Sequence, residues 1–412
     1  MSVVPSDPQN VVPLPPEPHL TPAEVIARAK AISPTLVDRQ AETEQRTFYA
    51  QDTHEEFLNA GFFRLLVPRR YGGYEFGPDT FLRVAVEIAR GCPSTGWQYL
   101  FGAAHALPVA SLFEADAQAE LFADGDFICP ATVAPAGTAE RVDGGWNISG
   151  VWSYSSGVPY STHFMGHTLI PPAGEGEPPT PLIFIVPRSD YKRLDDWGEQ
   201  LGLRGSGSHS VQIDNAFVPD RFTIHDHLSQ LTVTDGTPGR ILHRNTMYGG
   251  GPLSFMLLEL GALAVGISHG ALDAYEELMR SRTTIYPPIL PRTEDPDYQL
   301  RFGEATGKLS AAQAALFGAV QQWSDLCAQG PAAFTREQEW RLATISREVI
   351  RLCWDAVEGQ LFPTAGSSAI KNGARIERVW RDLSMLHSHA GYAIVLKTMA
   401  NRELSRAHFG VE

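Results

Sequence analysis

The stretch that decides the fold is GGWNISGVWSYSSG, residues 144–157. Apolar and polar residues alternate along it, a pattern typical of a β-strand with one buried face. If no bulge intervenes, one face carries four large side chains and a terminal hydroxyl, those of Trp146, Ile148, Trp152, Tyr154 and Ser156. Such a face would support a planar ring, with Ser156 as its hydrogen-bonding edge and Gly157 allowing the backbone to approach closely. Alternatively, Ser156 is a strand-end serine that caps its own turn.

Short β-branched and aromatic runs surround this stretch between residues 127 and 222, and they alternate with Gly, Pro and Asp turns. Examples are residues 182–186 and 211–213, and the prolines of residues 178–181 mark a hairpin loop. Strands at this spacing predict a small β-sandwich or barrel, which we assign to residues 127–230.

Helical patterns flank this β module on both sides. Thr21 and Glu24 form a capping box, with Pro22 at the first helical position, at the start of a helical domain that we assign to residues 21–126. Residues 1–20 are a proline-rich tail, for which we expect an extended or disordered chain. Later in the chain, long helices are expected at residues 253–282, 298–329, 335–361 and 374–409. The predicted fold is therefore mainly α: N-terminal helices, a central β module and a C-terminal four-helix bundle at residues 240–412.

The composition limits the kinds of partner and compartment. The 412 residues carry a formal net charge of -14, which disfavours binding to nucleic acid. Four cysteines without a CxxC pair fit free thiols in a reducing cytosol. The sequence begins without a basic segment followed by an apolar one, so we expect no signal peptide. The longest apolar run, residues 253–267, is broken by Glu259 and is too short for a membrane span, so we expect a buried helix in a cytoplasmic protein.

Four segments resemble one family in their order and spacing. They are VPRRYGG (67–73) leading to CPSTGWQYLFGAAH (92–105), PATVAPAGTAERVDGGWNISGVWSYSSG (130–157), DWGEQLGLRGSGSHSVQIDNAFVPDRF (196–222) and QLFPTAGSSAIKNGARIERVWRDLSMLHSH (360–389). The chain resembles the acyl-CoA dehydrogenase superfamily over nearly its full length, the proline-rich tail excepted. Within it, the chain is similar to the oxygenase components of two-component flavin-dependent monooxygenases, such as 4-hydroxyphenylacetate 3-monooxygenase, the steroid phenol hydroxylase and dibenzothiophene monooxygenase.

The resemblance implies which residues hold a flavin ring. Ser156 matches the serine that hydrogen-bonds flavin N5, and Trp97 matches the tryptophan beside the isoalloxazine. Thr132 and Val133 fall where the family contacts the ring with the start of a β-strand. From the residues alone, Trp97 could equally be a core tryptophan, and Thr132 and Val133 could be ordinary strand residues.

The resemblance also implies a phosphate site shared between subunits. Arg282 ends a long helix where the superfamily presents an arginine to the cofactor phosphate of a neighbouring subunit, and Gly366 and Ser367 match the loop that meets the same cofactor. A guanidinium suits phosphate because its fork binds two oxygens. The alternatives are a cation that stabilises a helix C-terminus and a loop that only breaks a helix. An inter-subunit site implies at least a dimer, and the family suggests a homotetramer.

The choice of chemistry depends on the last bundle loop. Dehydrogenation needs a carboxylate base, which acyl-CoA dehydrogenases usually place shortly after an Arg-Asp pair. Residues 381–390 contain no glutamate but two histidines, His387 and His389. The oxygenase branch carries a catalytic histidine there, which His389 matches best, and His105 resembles a second histidine near the flavin; surface histidines are the alternative. No HExxH motif or cysteine cluster accompanies them, so we expect no metal.

No GxGxxG motif follows a predicted strand, so we expect no nicotinamide site. A separate NAD(P)H-dependent flavin reductase would then deliver reduced FMN or FAD, with FMN preferred. The resemblance implies that O2 and this flavin give a C4a-hydroperoxyflavin near the catalytic residues Ser156, His105 and His389, which oxygenates a small phenolic or heteroaromatic substrate. The alternatives are an FAD-dependent dehydrogenase acting on acyl thioesters and a non-enzymatic helical assembly protein.

Overall fold

The computed structural model describes residues 13–172, 174, 176 and 178–411. Residues 1–12 of the predicted proline-rich tail lie outside this range. From residue 13 the chain lies along the N-terminal helices, because Glu17 pairs with Arg28 at 2.6 Å and Leu20 is buried. The last part of the predicted tail is therefore attached to the helical layer.

The N-terminal layer consists of helices that turn sharply against one another. They are α1 (Pro22–Arg46), α2 (Gln51–Asn59), α3 (Gly77–Gly91), α4 (Pro93–Ala103), α5 (Ala106–Leu112) and α6 (Ala115–Leu121). The predicted capping box is confirmed, since Thr21 Oγ1 accepts from the Glu24 amide and the Glu24 carboxylate accepts from the Thr21 amide at 2.9 Å. Pro93 begins α4 at the position where its missing N–H has no intrahelical acceptor.

The central module is a pair of antiparallel sheets. Its strands are β1 (Thr138–Val142), β2 (Gly145–Trp152), β3 (His163–Ile170), β4 (Thr180–Pro187), β5 (Lys192–Arg193), β6 (Val211–Pro219) and β7 (Thr223–Ile224). One sheet has the order β1-β2-β6-β5 and the other has the order β3-β4-β7. The predicted sandwich is therefore present, with large side chains of both sheets between them.

The predicted continuous face of residues 146–156 is wrong beyond Trp152. The alternation holds along β2, and the extra residue of the bulge lies in β6, since Ile148 pairs with Ala216 and Gly150 with Ile213. Trp152 packs against Phe184 at 5.3 Å between ring centroids and donates to the His167 carbonyl at 2.9 Å.

The apolar face of β2 thus belongs to the sandwich core, because large aromatic rings gain most by burial between two sheets. After β2 the backbone turns: Tyr154 has φ +63° and its side chain is 66% exposed. Ser156 lies in the turn that follows, and not on the strand face.

Long helices form the C-terminal part. They are α7 (Pro238–His243), α8 (Pro252–Ser281), α9 (Pro296–Gln329), α10 (Arg336–Ala356), α11 (Phe362–Ala365), α12 (Arg375–Ser388) and α13 (Ala400–Phe409), with π-helical segments at Val357–Leu361 and Gly391–Met399. The bundle matches the predicted positions, except that the fourth helix is interrupted. The interruption falls at His389, whose ψ of 135° is extended.

Helix α8 is long and apolar enough to cross a membrane by length and composition, and it is the one such helix in the part of the chain that the structure describes. Most of its apolar window is buried inside the protein, where it packs against α3, α9, α10 and α12. This agrees with the buried helix predicted for residues 253–267.

Candidate active site

One cluster joins side chains from all three parts of the molecule. Trp97 lies on α4, Ser156 follows β2, and His389 ends α12. Trp97 Nε1 donates to Ser156 Oγ at 2.9 Å, and the ring centroids of Trp97 and His389 are 5.2 Å apart. Phe101 lies one helical turn after Trp97 and is the fourth member of the group. Its ring centroid is 6.0 Å from that of His389. We call these four residues the ring-side cluster.

Two further serines extend this cluster. Ser156 Oγ is 2.7 Å from Ser208 Oγ, which is 2.7 Å from Ser206 Oγ, and both added serines are buried. Because the indole of Trp97 only donates, Ser156 must accept that bond, which leaves its own proton for Ser208 or for a ligand. Ser206 and Ser208 were not predicted from the sequence. The local signal for them is the run of glycine and serine at residues 205–210, within the family-like segment 196–222.

The segment that carries these serines is fixed from two sides. The amide of Leu203 donates to Asp382 Oδ1 at 2.5 Å, and the amide of Gly207 donates to the Thr47 carbonyl at 2.8 Å. A side-chain carbon on Gly202 would lie 2.3 Å from the Arg381 carbonyl oxygen, so only glycine fits there. Burial raises the pKa of Asp382 to about 7. The N-terminal layer and the last bundle helix therefore both position the serine segment.

His389 is a neutral hydrogen-bonding group at the end of α12. Burial lowers its pKa to about 4, so the ring is uncharged at neutral pH. Its Nδ1 accepts from the Gly391 amide at 3.2 Å. In a neutral ring the proton then resides on Nε2, and His389 can donate to a ligand.

His387 lies in a different environment from His389. Its ring packs against Trp354 at 4.2 Å and against Tyr392 at 4.6 Å between centroids. Of the two histidines left open by the sequence, the structure brings His389 to Trp97 and leaves His387 on the neighbouring side of the bundle.

His105 differs from His389 in which ring nitrogen carries the proton. Its Nδ1 contacts the carbonyl oxygens of Cys129 at 2.8 Å and Phe101 at 3.0 Å. Because carbonyl oxygens only accept, Nδ1 carries the proton and Nε2 keeps a lone pair. Burial lowers the pKa of His105 to about 4. The pair of histidines therefore offers one N–H donor and one nitrogen acceptor, with Phe101 in contact with both.

Thr132 and Val133 follow the residues that bind His105. The Thr132 amide donates to the Met165 carbonyl at 3.1 Å, which holds this segment along β3. The Thr132 hydroxyl is buried and has no hydrogen-bond partner within the described residues. Val133 is exposed, and its carbonyl accepts from His227 Nε2 at 2.7 Å. An unpartnered buried hydroxyl beside an exposed apolar residue fits the predicted contact with a polar ring.

A second cluster, which we call the arginine cluster, lies at the other end of α8. Arg282 donates to Ser368 Oγ at 2.7 Å, and the buried Arg292 donates to the Ala365 carbonyl at 3.1 Å. Both flank Gly366, whose φ of +91° suits glycine. The predicted Ser367 is exposed, and it is Ser368 that contacts Arg282.

The arginine cluster carries unneutralised positive charge. Within the residues described, neither Arg282 nor Arg292 forms an ion pair with a carboxylate at 4.0 Å or less, and their partners are a hydroxyl and a carbonyl oxygen. Such an arrangement suits a phosphate. For metals, the described ranges contain no group of three or more His, Cys, Asp or Glu side chains that could hold an ion.

Comparisons with known proteins agree with this architecture. The model of the acyl-CoA dehydrogenase N-terminal domain matches residues 27–120, and the model of the C-terminal domain matches residues 258–393. A pigment production hydroxylase from a Rhodococcus species is 32% identical over 381 residues, covering 90% of this chain and 93% of the relative. The flavin-dependent monooxygenase oxygenase subunit HsaA of Rhodococcus jostii is 33% identical over 372 residues, covering 88% and 92%.

The same group appears among solved structures. The crystal structure of the 3-HSA hydroxylase from Rhodococcus sp. RHA1 superposes with a TM-score of 0.84 at 28% identity, covering 94% of this chain and 97% of that one. The likeness therefore extends over the helical layer, the sandwich and the bundle together. The chain belongs to the acyl-CoA dehydrogenase superfamily and, within it, to the group of the flavin-dependent monooxygenase oxygenase components.

Proposed function

We propose that this chain is the oxygenase component of a two-component flavin-dependent monooxygenase that hydroxylates a small phenolic or heteroaromatic substrate. The observation that carries the proposal is the contact of His389 with Trp97, beside Ser156. Acyl-CoA dehydrogenases usually place a carboxylate base at this end of the bundle, and the chain has a neutral histidine there.

The ring-side cluster fits the edge of a flavin ring. Trp97 supplies an aromatic face, Ser156 supplies a hydroxyl whose proton is not committed to Trp97, and the Thr132 hydroxyl lacks a partner. Reduced FMN or FAD, when bound, supplies the electrons that activate oxygen. The relatives are flavin-dependent by name, and one is an FADH2-dependent resorcinol hydroxylase. The choice of FMN rests on our expectation from the sequence.

The arginine cluster completes the site of a second copy. Arg282 lies about 30 Å along α8 from Leu260, which packs beside Gly391 and His389. One FMN therefore does not reach both clusters of the same chain. The hairpin after Arg282 exposes Ile285, Tyr286 and Ile289, a set of apolar side chains that a second copy would cover. We infer at least a dimer, with a homotetramer as the expected assembly.

The two histidines would position the substrate and the oxygen to be transferred. Nε2 of His105 is an acceptor for a substrate hydroxyl, and the Nε2–H of His389 is a donor. Both rings stay neutral at pH 7 because burial lowers the pKa of each to about 4. The rings of Trp97 and Phe101, whose centroids are 4.9 Å apart, would exclude water from the space beside them, which favours oxygen transfer over release of hydrogen peroxide.

A separate NAD(P)H-dependent flavin reductase is the expected partner, and the cytoplasm is the expected compartment. The names of the relatives support the partner, since they are an oxygenase subunit and oxygenase components. In the described part of the chain, no glycine-rich nucleotide turn follows a strand.

The test is a coupled assay with labelled oxygen. Purified protein, a generic flavin reductase, NADH and FMN are mixed with a panel of phenols and heteroaromatics under 18O2. Products that carry one 18O atom are the expected result. Bleaching of a bound flavin by acyl thioesters, without any oxygenated product, would instead support the dehydrogenase alternative.

A further inference from the structure

Two further histidines hold the segment that contains Thr132 and Val133. His167 lies on β3 and is buried, and its Nδ1 is 2.8 Å from the Thr132 carbonyl oxygen. His227 follows β7, and its Nε2 is 2.7 Å from the Val133 carbonyl oxygen. Because carbonyl oxygens only accept, each of these nitrogens carries a proton and donates it. The two rings are neighbours, with centroids 4.8 Å apart.

The second nitrogen of each ring has a partner as well. Nε2 of His167 accepts from the Leu228 amide at 3.3 Å, and Nδ1 of His227 accepts from the Ser229 amide at 3.3 Å. Each imidazole therefore donates to the Thr132 segment and accepts from the turn after β7. Burial, and after it the neighbouring His227 ring, lowers the pKa of His167 to about 3, so the His167 ring is uncharged at neutral pH.

The backbone of His167 connects the same segment to β2. Its carbonyl oxygen accepts from the Trp152 indole at 2.9 Å and from the Ala136 amide at 3.0 Å. Trp152 ends β2, four residues before Ser156. The two parts of the sandwich that we expect at the flavin ring are therefore both attached to His167.

The two histidine hydrogen bonds fix the orientation of two successive peptides. In a trans peptide, the C=O and N–H groups point in opposite directions. Donation to the Thr132 and Val133 carbonyls therefore directs the Val133 and Ala134 N–H groups away from the imidazoles. In the part of the chain that the structure describes, neither N–H group has an acceptor, and both residues are exposed. The Thr132 hydroxyl also lacks a described partner, so this segment offers three donors to a ligand.

We propose that His167 and His227 are positioning residues, which orient residues 132–134 so that these donors bind the negatively charged ring of the reduced flavin. This inference rests on the proposed function, since it assigns the segment to the flavin ring. When bound, reduced flavin presents carbonyl oxygens and a deprotonated ring nitrogen along one edge. Donors that are already oriented stabilise such a charge without reorganisation. The segment should therefore favour reduced flavin over oxidised flavin.

The first test compares binding of the two redox states of FMN. Dissociation constants of reduced FMN, measured anaerobically, and of oxidised FMN are determined for the full-length wild type, His227→Leu and His227→Gln. His227→Leu removes the donor to Val133, whereas glutamine keeps an amide N–H near the position of Nε2. His227→Leu should weaken binding of reduced FMN about tenfold and that of oxidised FMN less than about threefold. His227→Gln should restore most of this loss.

The matched control is His225→Leu, which should leave both dissociation constants unchanged. His225 packs against Trp146 at 5.8 Å between ring centroids, and no hydrogen bond in the described structure joins it to residues 132–134. Equal weakening of both redox states in His227→Leu, or equal losses in the leucine and glutamine variants, would show a merely structural role and overturn the proposal. Either result, with tight binding of reduced FMN by the wild type, leaves the monooxygenase proposal standing. A wild type that binds neither state would contradict both.

The second test needs no flavin. Amide hydrogen exchange of the full-length protein is followed by mass spectrometry in peptides that cover residues 131–136. His227→Leu should speed exchange there about tenfold, because one anchor of the segment is lost, and residues 145–152 of β2 should not change. His167→Asn, which keeps a donor near the position of Nδ1, should have a smaller effect than His167→Leu. Unchanged exchange of residues 131–136 in His227→Leu would overturn the anchoring role.

Discussion

The ring-side cluster and the arginine cluster differ in how complete they are within one chain. Trp97 and Ser156 hydrogen-bond each other, and His389 packs against Trp97. Arg282 and Arg292, in contrast, have hydroxyl and carbonyl partners but no neutralising carboxylate within the described chain. The first cluster is preorganised by folding, whereas the second requires an anion to balance its charge. We infer that folding of one chain positions the ring-side cluster, and that cofactor binding and assembly of subunits complete the arginine cluster.

The largest expected effect comes from His389, the ring-side donor. His389→Ala should lower the rate of product formation about 100-fold, because a positioned proton donor or acceptor typically contributes at least that much. Reduced flavin should still bind, and its electrons should appear as hydrogen peroxide. Product and peroxide are quantified together. The matched control is His387→Ala, which removes a neighbouring histidine that does not contact Trp97; equal losses in both variants would contradict the assignment.

The next effect concerns the arginine cluster. Arg282→Ala should weaken binding of reduced FMN about 10- to 30-fold, as expected for loss of a hydrogen bond to a charged phosphate. Titration calorimetry under anaerobic conditions measures the change. Arg280→Ala is the control, since Arg280 is exposed and pairs with Glu276 at 2.5 Å. An unchanged dissociation constant for Arg282→Ala would remove the phosphate role.

A fall in pH should reduce the free energy of unfolding through the buried histidines more than through the arginines. Burial lowers the pKa of His105 to about 4, below the ordinary value of 6.5. The unfolded chain therefore takes up the proton first as pH falls, and the stability contributed above pH 6.5 is lost progressively down to pH 4. Between pH 7 and 5 this costs up to roughly 2 kcal/mol of unfolding free energy.

Urea denaturation at the two pH values measures this loss. His105→Gln should show a smaller decrease between pH 7 and 5 than the wild type, while replacement of the exposed His19 by Gln should leave the decrease unchanged. A His105→Gln protein with the full wild-type decrease would show that other groups cause the acid sensitivity.

The smallest effect is expected at the buried serines. Ser208→Ala removes the 2.7 Å contact that helps to orient the Ser156 hydroxyl. Reduced FMN should bind about fivefold more weakly, close to the value of one neutral hydrogen bond. Ser210→Ala is a control from the same segment, because Ser210 contacts Ser153 and not Ser156. If both substitutions have the same effect, Ser208 acts only through the fold of its segment.

The sequence predicted the parts of the molecule that depend on local pattern. The capping box at Thr21 and the long bundle helices follow from short-range hydrogen bonding and helical periodicity. The role of the β2 face could not be predicted, because alternation indicates that one face of a strand is buried but not which element covers it. In the protein, the second sheet covers Trp152.

The candidate site depended on contacts between distant residues. Ser156 and Ser208 are 52 positions apart, and Ser208 became recognisable only when the fold brought the two hydroxyls within 2.7 Å. The break of the last helix at His389 was likewise missed, since no proline or glycine precedes it within α12. The family resemblance identified His389 as a candidate, and the structure showed that His389 contacts Trp97 whereas His387 does not.

The central claim is that this protein binds reduced flavin and controls its reaction with oxygen. Stopped-flow mixing of the protein with photoreduced FMN, followed by oxygenated buffer, measures how fast the flavin is reoxidised. The account predicts reoxidation clearly slower than that of free FMN, with the slowing lost in Ser156→Ala and in Trp97→Ala. Reoxidation as fast with the protein as without it would contradict the account.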